Sequence, residues 1–109
     1  MPQKSEKELI EFVLENGRSP FSDWLNKLRD AQARAIIRAR LNRVRLGNLG
    51  NSRSVGEGVM ELKIDYGPGY RVYFGCESNC IVVLLCGGDK SSQQEDIMKA
   101  KRYWADYTN

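Results

Sequence analysis

Histidine is absent from this chain, and its absence removes several kinds of active site at once. Without imidazole there is no Ser-His-Asp or Cys-His arrangement, no histidine ligand for zinc and no unperturbed side chain that titrates near neutral pH. Cysteine is scarce as well, and three residues cannot supply a four-thiolate zinc site. We therefore expect no metal and no cofactor, and any catalysis must use Lys, Arg, Asp, Glu or Tyr.

Long hydrophobic segments are also missing. The longest apolar run, residues 81–86, is far shorter than the about 20 residues that a membrane span needs. The N-terminus lacks the charged-then-apolar order of a signal peptide, and the odd cysteine count does not suggest a secreted disulfide framework. We expect a single domain over residues 1–109 that stays in the cytoplasm without contacting a membrane.

The best local signal is a β-hairpin over residues 58–74, where two alternating runs flank Gly67-Pro68-Gly69. Alternation predicts an apolar face in the core and a polar face outside it. If the register aligns the two polar sets, the outer face carries Glu61, Lys63, Arg71 and Tyr73. Such a group can bind a phosphodiester and move its protons, since arginine binds phosphate bidentately. The alternative is an ordinary set of solvated cross-strand pairs.

The remaining periodicity predicts the other elements. These are a strand over residues 7–14, a helix over 20–29 begun by Ser19-Pro20, a helix over 31–44 capped by Asp30, a loop over 47–58, a strand over 80–86 covered on both faces, and a helix begun by a Ser92/Glu95 capping box. The predicted fold is α+β in the order β-α-α-β-β-β-α, with a mostly antiparallel sheet and a helical hairpin packed on one face. The last helix has a narrow apolar stripe, which docks on this domain or on a partner.

The second helix carries a strongly basic face. Five arginines lie within twelve residues, namely Arg34, Arg38, Arg40, Arg43 and Arg45. An arginine face without interleaved glutamates forgoes the usual i to i+4 pairing and adds self-repulsion. It therefore suggests RNA or an acidic protein as a partner, although charged faces opposite a core stripe are often only solvated surface.

A Gly-Gly-Asp-Lys segment follows the predicted buried strand. It lacks the glycine directly before the lysine that a phosphate-binding loop requires. What remains is Lys90 at a strand end, beside a helix N-terminus that favours anions. If the strands are adjacent, Lys90 approaches Lys63 and Arg71; otherwise the segment is a simple strand-to-helix turn.

Taken together, these residues resemble a known family. The matching segments are residues 21–25, 43–51, 58–64, 67–74 and 84–93, with Asp96-Ile97. Over most of its length the chain resembles the small toxins of bacterial type II toxin–antitoxin modules in the RelE/ParE superfamily, in its HigB-like branch of addiction-module killer proteins.

This resemblance implies a ribosome-dependent mRNA endoribonuclease that stops translation and is silenced by an antitoxin, expected to be a helix-turn-helix protein. In such enzymes the 2′-hydroxyl of the RNA attacks the adjacent phosphate without a metal. By position, Arg71 matches an arginine that stabilises the transition state, Lys63 a base or phosphate clamp, and Lys90 a basic residue after the last strand. Glu61 is a possible base. Arg34, Arg38, Arg45 and Arg53 are the expected contacts to RNA or the ribosome.

One part of the family pattern differs in this chain. Other members place a tyrosine, or histidine with aspartate, near the C-terminus, where this chain has Asp96-Ile97. Tyr73, Tyr103 and Tyr107 are the candidates to replace it. Two other functions fit the same resemblance: inhibition of DNA gyrase without RNA cleavage, as on the ParE side of the superfamily, and binding without chemistry.

Overall fold

The structure is a computed structural model and describes residues 6–109. Five strands form one sheet in the order β1-β5-β4-β3-β2. The strands are β1 (Glu8–Glu11), β2 (Ser52–Gly56), β3 (Val59–Ile64), β4 (Tyr70–Cys76) and β5 (Ile81–Gly88), and the helices are α1 (Pro20–Lys27), α2 (Ala31–Arg45) and α3 (Gln93–Thr108). Only the β1–β5 pairing is parallel. The predicted α+β fold with a mostly antiparallel sheet is therefore confirmed.

The sheet has one strand more than expected, because β2 lies inside the segment predicted as a loop. β2 pairs antiparallel with β3, and a tight turn with positive φ at Glu57 (56°) and Gly58 (83°) joins the two strands. Positive φ at both central residues is typical of two-residue hairpin turns. The glycine-rich sequence of this segment does not indicate a strand, because β2 is stabilised more by pairing with β3 than by the β propensity of its own residues.

The helical hairpin covers one face of the sheet. Ser19 Oγ accepts from the backbone N–H of Ser22 and begins α1, and Asp30 Oδ1 accepts from the N–H groups of Gln32 and Ala33 and begins α2. The apolar stripes of both helices pack against alternate residues of β3, β4 and β5; the core includes Phe21, Leu25, Ile37, Leu41, Leu62, Val72 and Phe74. The predicted caps and the packing of the hairpin are confirmed.

Helix α3 covers the opposite face. Ile97, Ala100 and Trp104 contact a second apolar cluster that includes Phe12, Val59, Tyr73 and Leu85. The last helix therefore docks on this domain. The predicted capping box is wrong: a short 3₁₀ turn over Lys90–Ser92 precedes α3, and the Ser92 hydroxyl donates to Asp96 Oδ2 (2.5 Å) instead of capping the helix. Within residues 6–109, no helix combines the length and apolarity needed to cross a bilayer.

The docking of α3 requires a glycine beneath its largest side chain. A Cβ placed on Gly75 would lie 2.5 Å from the Trp104 ring, which is closer than packed atoms approach. The flat surface left by this glycine allows the indole to lie against β4.

Replacing this glycine tests the contact. We expect Gly75→Ala to lower the free energy of unfolding by about 2 kcal/mol, because overpacking displaces the ring. Chemical denaturation of the wild type, both single variants and the double variant with Trp104→Ala measures the coupling. If Gly75→Ala costs the same in the Trp104→Ala background, the indole contact is not the reason for the glycine.

Candidate anion site

The hairpin register brings the predicted site residues together in two neighbouring rows. Glu61 lies directly opposite Tyr73, and Lys63 lies directly opposite Arg71. Arg53 of β2 extends the first row on the other side of Glu61. Since cross-strand partners have Cβ atoms about 5 Å apart on one face, the predicted juxtaposition of these residues is confirmed.

The carboxylate of Glu61 is the centre of a hydrogen-bonded network. Its Oε1 accepts from Arg53 Nε (2.9 Å), and its Oε2 accepts from the Tyr73 hydroxyl (3.0 Å) and Gln93 Nε2 (2.9 Å). Gln93 is the first residue of α3, so the network links β2, β3 and β4 to the start of the helix.

The expectation that the polar face lies outside the core is wrong for three of its four residues. Glu61, Arg71 and Tyr73 are 2%, 6% and 0% exposed. The physical reason is α3, which packs against this face of the sheet. The sequence alone allows α3 to dock either on this domain or on a partner. Lys63 remains exposed, with its Nζ 3.6 Å from Asp65 Oδ1.

Burial and hydrogen bonding set the protonation of this network. Burial by itself raises the pKa of Glu61, but the hydrogen bonds from Arg53, Gln93 and Tyr73 outweigh it, so the pKa is held below its usual range. Burial, and then the bond to Glu61, raises the pKa of Tyr73 far above that of a free phenol. Glu61 is therefore ionised and Tyr73 is protonated at neutral pH, and each uses the other as a partner.

Arg71 is the buried cation that this network leaves partly unused. Its Nη1 donates to the carbonyl of Gly69 (2.7 Å), and its Nε lies 3.8 Å from Glu61 Oε2, too far for a hydrogen bond. Among the residues that the structure describes, this Nε–H is the buried side-chain polar atom without a hydrogen-bond partner. A buried donor without a partner is costly, and such donors are often found where a ligand binds.

A glycine turn brings Lys90 to the same place. A Cβ on Gly69 (φ 79°) would lie 3.2 Å from Arg71 Nη1 and 3.8 Å from Lys90 Cβ. The backbone N–H of Lys90 also donates to the carbonyl of Pro68 (3.4 Å). Lys63 is the cross-strand partner of Arg71, and the backbone and Cβ of Lys90 lie beside the Gly67–Gly69 turn that Arg71 contacts; we call these three residues the cationic cluster.

The arginines expected to contact RNA or the ribosome do not form one surface. Arg34, Arg38 and Arg45 lie on α2, which covers the sheet face opposite α3, whereas Arg53 joins the Glu61 network. Arg34 donates to the carbonyl of Leu28, and Arg45 pairs with Glu6 (3.2 Å) and with Asn42. Arg38 lines an open groove between α1, α2 and β1.

Sequence reasoning missed two residues of this region. Gln93 was included only as part of a matching segment, and nothing in its spacing indicates that it reaches Glu61. Asp96 is buried over Gly88, the cross-strand partner of Arg71, and burial raises its pKa despite the hydrogen bond from Ser92. An aspartate on the apolar side of a helix was the available signal, since such residues are seldom buried.

The chain is similar to a protein whose function is not characterized. No protein-family model matches the chain. An uncharacterized protein from Haemophilus influenzae is 51% identical to it over 81 residues, which cover 74% of this chain and 82% of that protein.

The Glu61 network predicts a pH dependence of stability. Because the pKa of Glu61 is lower in the fold than in the unfolded chain, where it is near 4.5, the carboxylate stabilises the fold above that pH. This contribution is lost as the pH falls through the lower, folded value. We expect Glu61→Gln to lower the free energy of unfolding at pH 7 by about 2 kcal/mol and to flatten the decline of this free energy as the pH falls below about 5.

Denaturant unfolding at several pH values makes this measurement. Glu57→Gln is the matched control, because Glu57 is exposed and its pair with Lys101 (3.3 Å) should contribute less than about 1 kcal/mol. A Glu61→Gln variant with the same pH profile as the wild type would contradict the assigned role.

Proposed function

We propose that this chain, which belongs to the same family as the uncharacterized Haemophilus influenzae protein, is a toxin that cleaves mRNA on the ribosome. In this proposal it acts in the cytoplasm, needs no metal or cofactor, and is silenced by an antitoxin. The resemblance of most of the chain to HigB-like toxins supports the biological role. The geometry of the cationic cluster supports the chemistry.

The observation that carries the proposal is the state of Arg71. Its guanidinium is almost entirely withdrawn from water, holds one backbone carbonyl and keeps an unpaired Nε–H. Lys63 is its cross-strand partner, and Lys90 lies beside the Gly67–Gly69 turn. A guanidinium with spare donors, on a part of the surface that also carries two lysines, is suited to the oxygens of a phosphodiester, and the low local dielectric strengthens the attraction.

The proposed reaction is transesterification within the RNA. The 2′-hydroxyl attacks the neighbouring phosphorus, the bond from phosphorus to the 5′-oxygen breaks, and a 2′,3′-cyclic phosphate remains. The cationic cluster neutralises the additional negative charge of the phosphorane. In this proposal the amines of Lys63 and Lys90, both exposed residues, exchange protons with the 2′-hydroxyl and the departing 5′-oxygen.

Glu61 and Tyr73 have a different role in this proposal from the one their residue types suggest. Both Glu61 oxygens already accept hydrogen bonds, and Tyr73 is completely buried. Neither presents a free group to a substrate. They act as positioning residues, because the ionised carboxylate lies 3.8 Å from Arg71 Nε and offsets the cost of burying this cation.

Substitutions in the cationic cluster test the proposal. We expect Arg71→Lys, which keeps the charge but loses the planar fork, to reduce cleavage at least 100-fold. Lys63→Ala and Lys90→Ala should each reduce it at least tenfold while leaving the unfolding free energy nearly unchanged, since both side chains are exposed. Primer-extension mapping of cleavage in a translating extract measures these effects.

Arg102→Ala is the control for these variants, because Arg102 is exposed on α3, about 13 Å along the helix axis from Gln93 at its start. Full cleavage by Arg71→Lys would contradict the proposed chemistry. Intact transcripts together with gyrase-linked DNA breaks would favour the gyrase inhibitor.

The arginine face of α2 is proposed to bind ribosomal RNA. Charge reversal at Arg38 and Arg45 should weaken ribosome binding and reduce its salt dependence by about two units of the log–log slope, one for each lost phosphate contact. Ribosome sedimentation at several salt concentrations measures the slope. An unchanged slope would contradict a contact between α2 and the ribosome, and would leave an acidic protein partner or plain solvated surface as the explanation of this face.

A further inference from the structure

Gln93 has a position in the anion site that suggests more than a link between α3 and the sheet. It is the first residue of α3 and is half-buried, and its side-chain amide donates to Glu61 Oε2 (2.9 Å). The Tyr73 hydroxyl donates to the same oxygen (3.0 Å). A carboxylate oxygen has two lone pairs, so these two donors together use both of them.

This oxygen is also the one that faces Arg71. Arg71 Nε lies 3.8 Å from Glu61 Oε2, which is about 0.9 Å beyond an ordinary hydrogen bond. An arginine and a carboxylate that are both buried normally bind each other directly, often through two parallel hydrogen bonds. Here they stay apart, because the acceptor sites that Arg71 would use on Oε2 already hold Tyr73 and Gln93.

The guanidinium edge that such a pair would occupy carries the Nε–H and one N–H of Nη2. Arg71 Nη1 donates to the carbonyl of Gly69 (2.7 Å), which fixes the plane of the group. Within residues 6–109, Nη2 makes no hydrogen bond to the protein, and it is not among the buried atoms that lack a partner. Nη2 therefore reaches solvent, where an anion from outside can accept from it.

Removal of the Gln93 donor would change this arrangement. One lone pair of Glu61 Oε2 would become free, and a shift of about 1 Å would let Arg71 donate to it from Nε and Nη2. The new pair would neutralise the guanidinium and use the donor that reaches solvent. An external anion would then have to separate a buried ion pair before it could bind, which is strongly unfavourable.

We propose that Gln93 is a positioning residue, which keeps Glu61 from pairing with Arg71 and so leaves the guanidinium open to a phosphate oxygen of the substrate. That the substrate is RNA rests on the proposed function, whereas the spacing of Glu61 and Arg71 concerns any phosphate anion. Tyr73 holds the other lone pair in the same way, but it is completely buried in the core. Gln93 is the half-buried donor of the two, and so the one that can be replaced without opening the core.

A purely structural role for Gln93 predicts different behaviour. If its hydrogen bond only fastens α3 to the sheet, its loss destabilises the fold and leaves Arg71 as it is. If it positions Glu61, the lost hydrogen bond is offset by the new Arg71–Glu61 pair, so stability changes little while the anion site closes. The two roles are therefore distinguished by measuring stability and anion binding on the same variant.

Inorganic phosphate is the probe, and the Nε–H cross-peak of Arg71 in a ¹H–¹⁵N correlation spectrum of the full chain is the readout; Arg71→Lys, which lacks this peak, assigns it. Phosphate should shift the cross-peak of the wild type. In Gln93→Leu, which removes the donor at similar volume, the peak should move without phosphate, and phosphate affinity should fall at least tenfold. The melting temperature should change by less than about 4 °C.

Variants at positions 93 and 94 supply the controls. Gln94→Leu, at the exposed neighbouring residue, should bind phosphate as the wild type does. Gln93→Lys keeps a donor at the site and should bind phosphate within threefold of Gln94→Lys, which adds the same charge. The proposal is overturned if phosphate leaves the wild-type cross-peak unchanged, or if Gln93→Leu binds phosphate as tightly as the wild type. It is also overturned if Gln93→Leu melts at a much lower temperature with its Arg71 cross-peak unmoved.

Cleavage assays separate this inference from the proposed function. A wild type that binds phosphate at Arg71 but leaves translated mRNA intact would contradict the proposed function and leave the role of Gln93 in place. A Gln93→Leu variant that cleaves mRNA at the wild-type rate would contradict the role of Gln93 alone.

Discussion

The buried carboxylate of Glu61 is the interaction on which the rest of this site depends. It receives hydrogen bonds from β2, β4 and α3, so one anion connects three elements on one side of the sheet. A carboxylate placed there without donors would cost several kcal/mol. Because the donors include a guanidinium and a phenol, the ion is stabilised, and the start of α3 is held at a fixed position relative to the hairpin. The location of Lys90, three residues before the helix, follows from that position.

The same arrangement accounts for the burial of Arg71. An arginine almost completely removed from water requires a nearby anion, and Glu61 provides one. Its carboxylate is close enough to offset the positive charge of Arg71 but too far away to accept a hydrogen bond from the Nε–H. Oε2, the Glu61 oxygen that lies 3.8 Å from Arg71 Nε, already accepts hydrogen bonds from Tyr73 and Gln93, so both of its lone pairs are in use. The site therefore has a compensated charge together with an unused hydrogen-bond donor. This combination permits an anion to bind without requiring one for folding.

Much of the fold could be predicted from local patterns. The caps at Ser19 and Asp30, the Gly67–Gly69 turn and the alternation of β3 and β4 each depend on interactions within a few residues, and all of them are confirmed. β2 could not be predicted, because a short polar segment becomes a strand only when β3 lies beside it. The capping box failed for a similar reason: Ser92 bonds to Asp96, which is buried against Gly88 of a distant strand.

In the site, too, the features that depend on local sequence could be predicted and those that depend on tertiary packing could not. Strand alternation correctly placed Glu61, Lys63, Arg71 and Tyr73 on one face, since register follows from the turn. The prediction that these side chains are exposed was wrong, because their exposure depends on where α3 packs. A narrow apolar stripe on α3 does not specify which surface the helix packs against. The arginines were grouped by charge alone, and only the topology separates Arg53 from those of α2.

The separation of the basic residues restricts how RNA can approach. The cationic cluster lies on the α3 side of the sheet, and the arginines of α2 lie on the other side, beyond the strands and a layer of apolar side chains. Helix and sheet layers pack about 10 Å apart, so one phosphate backbone cannot contact both sets without passing around an edge of the sheet. A single RNA strand bound in the cluster would therefore not reach the α2 face. If both surfaces bind nucleic acid, they bind different parts of it, as an enzyme held on a large ribonucleoprotein would while its substrate strand enters from the other side.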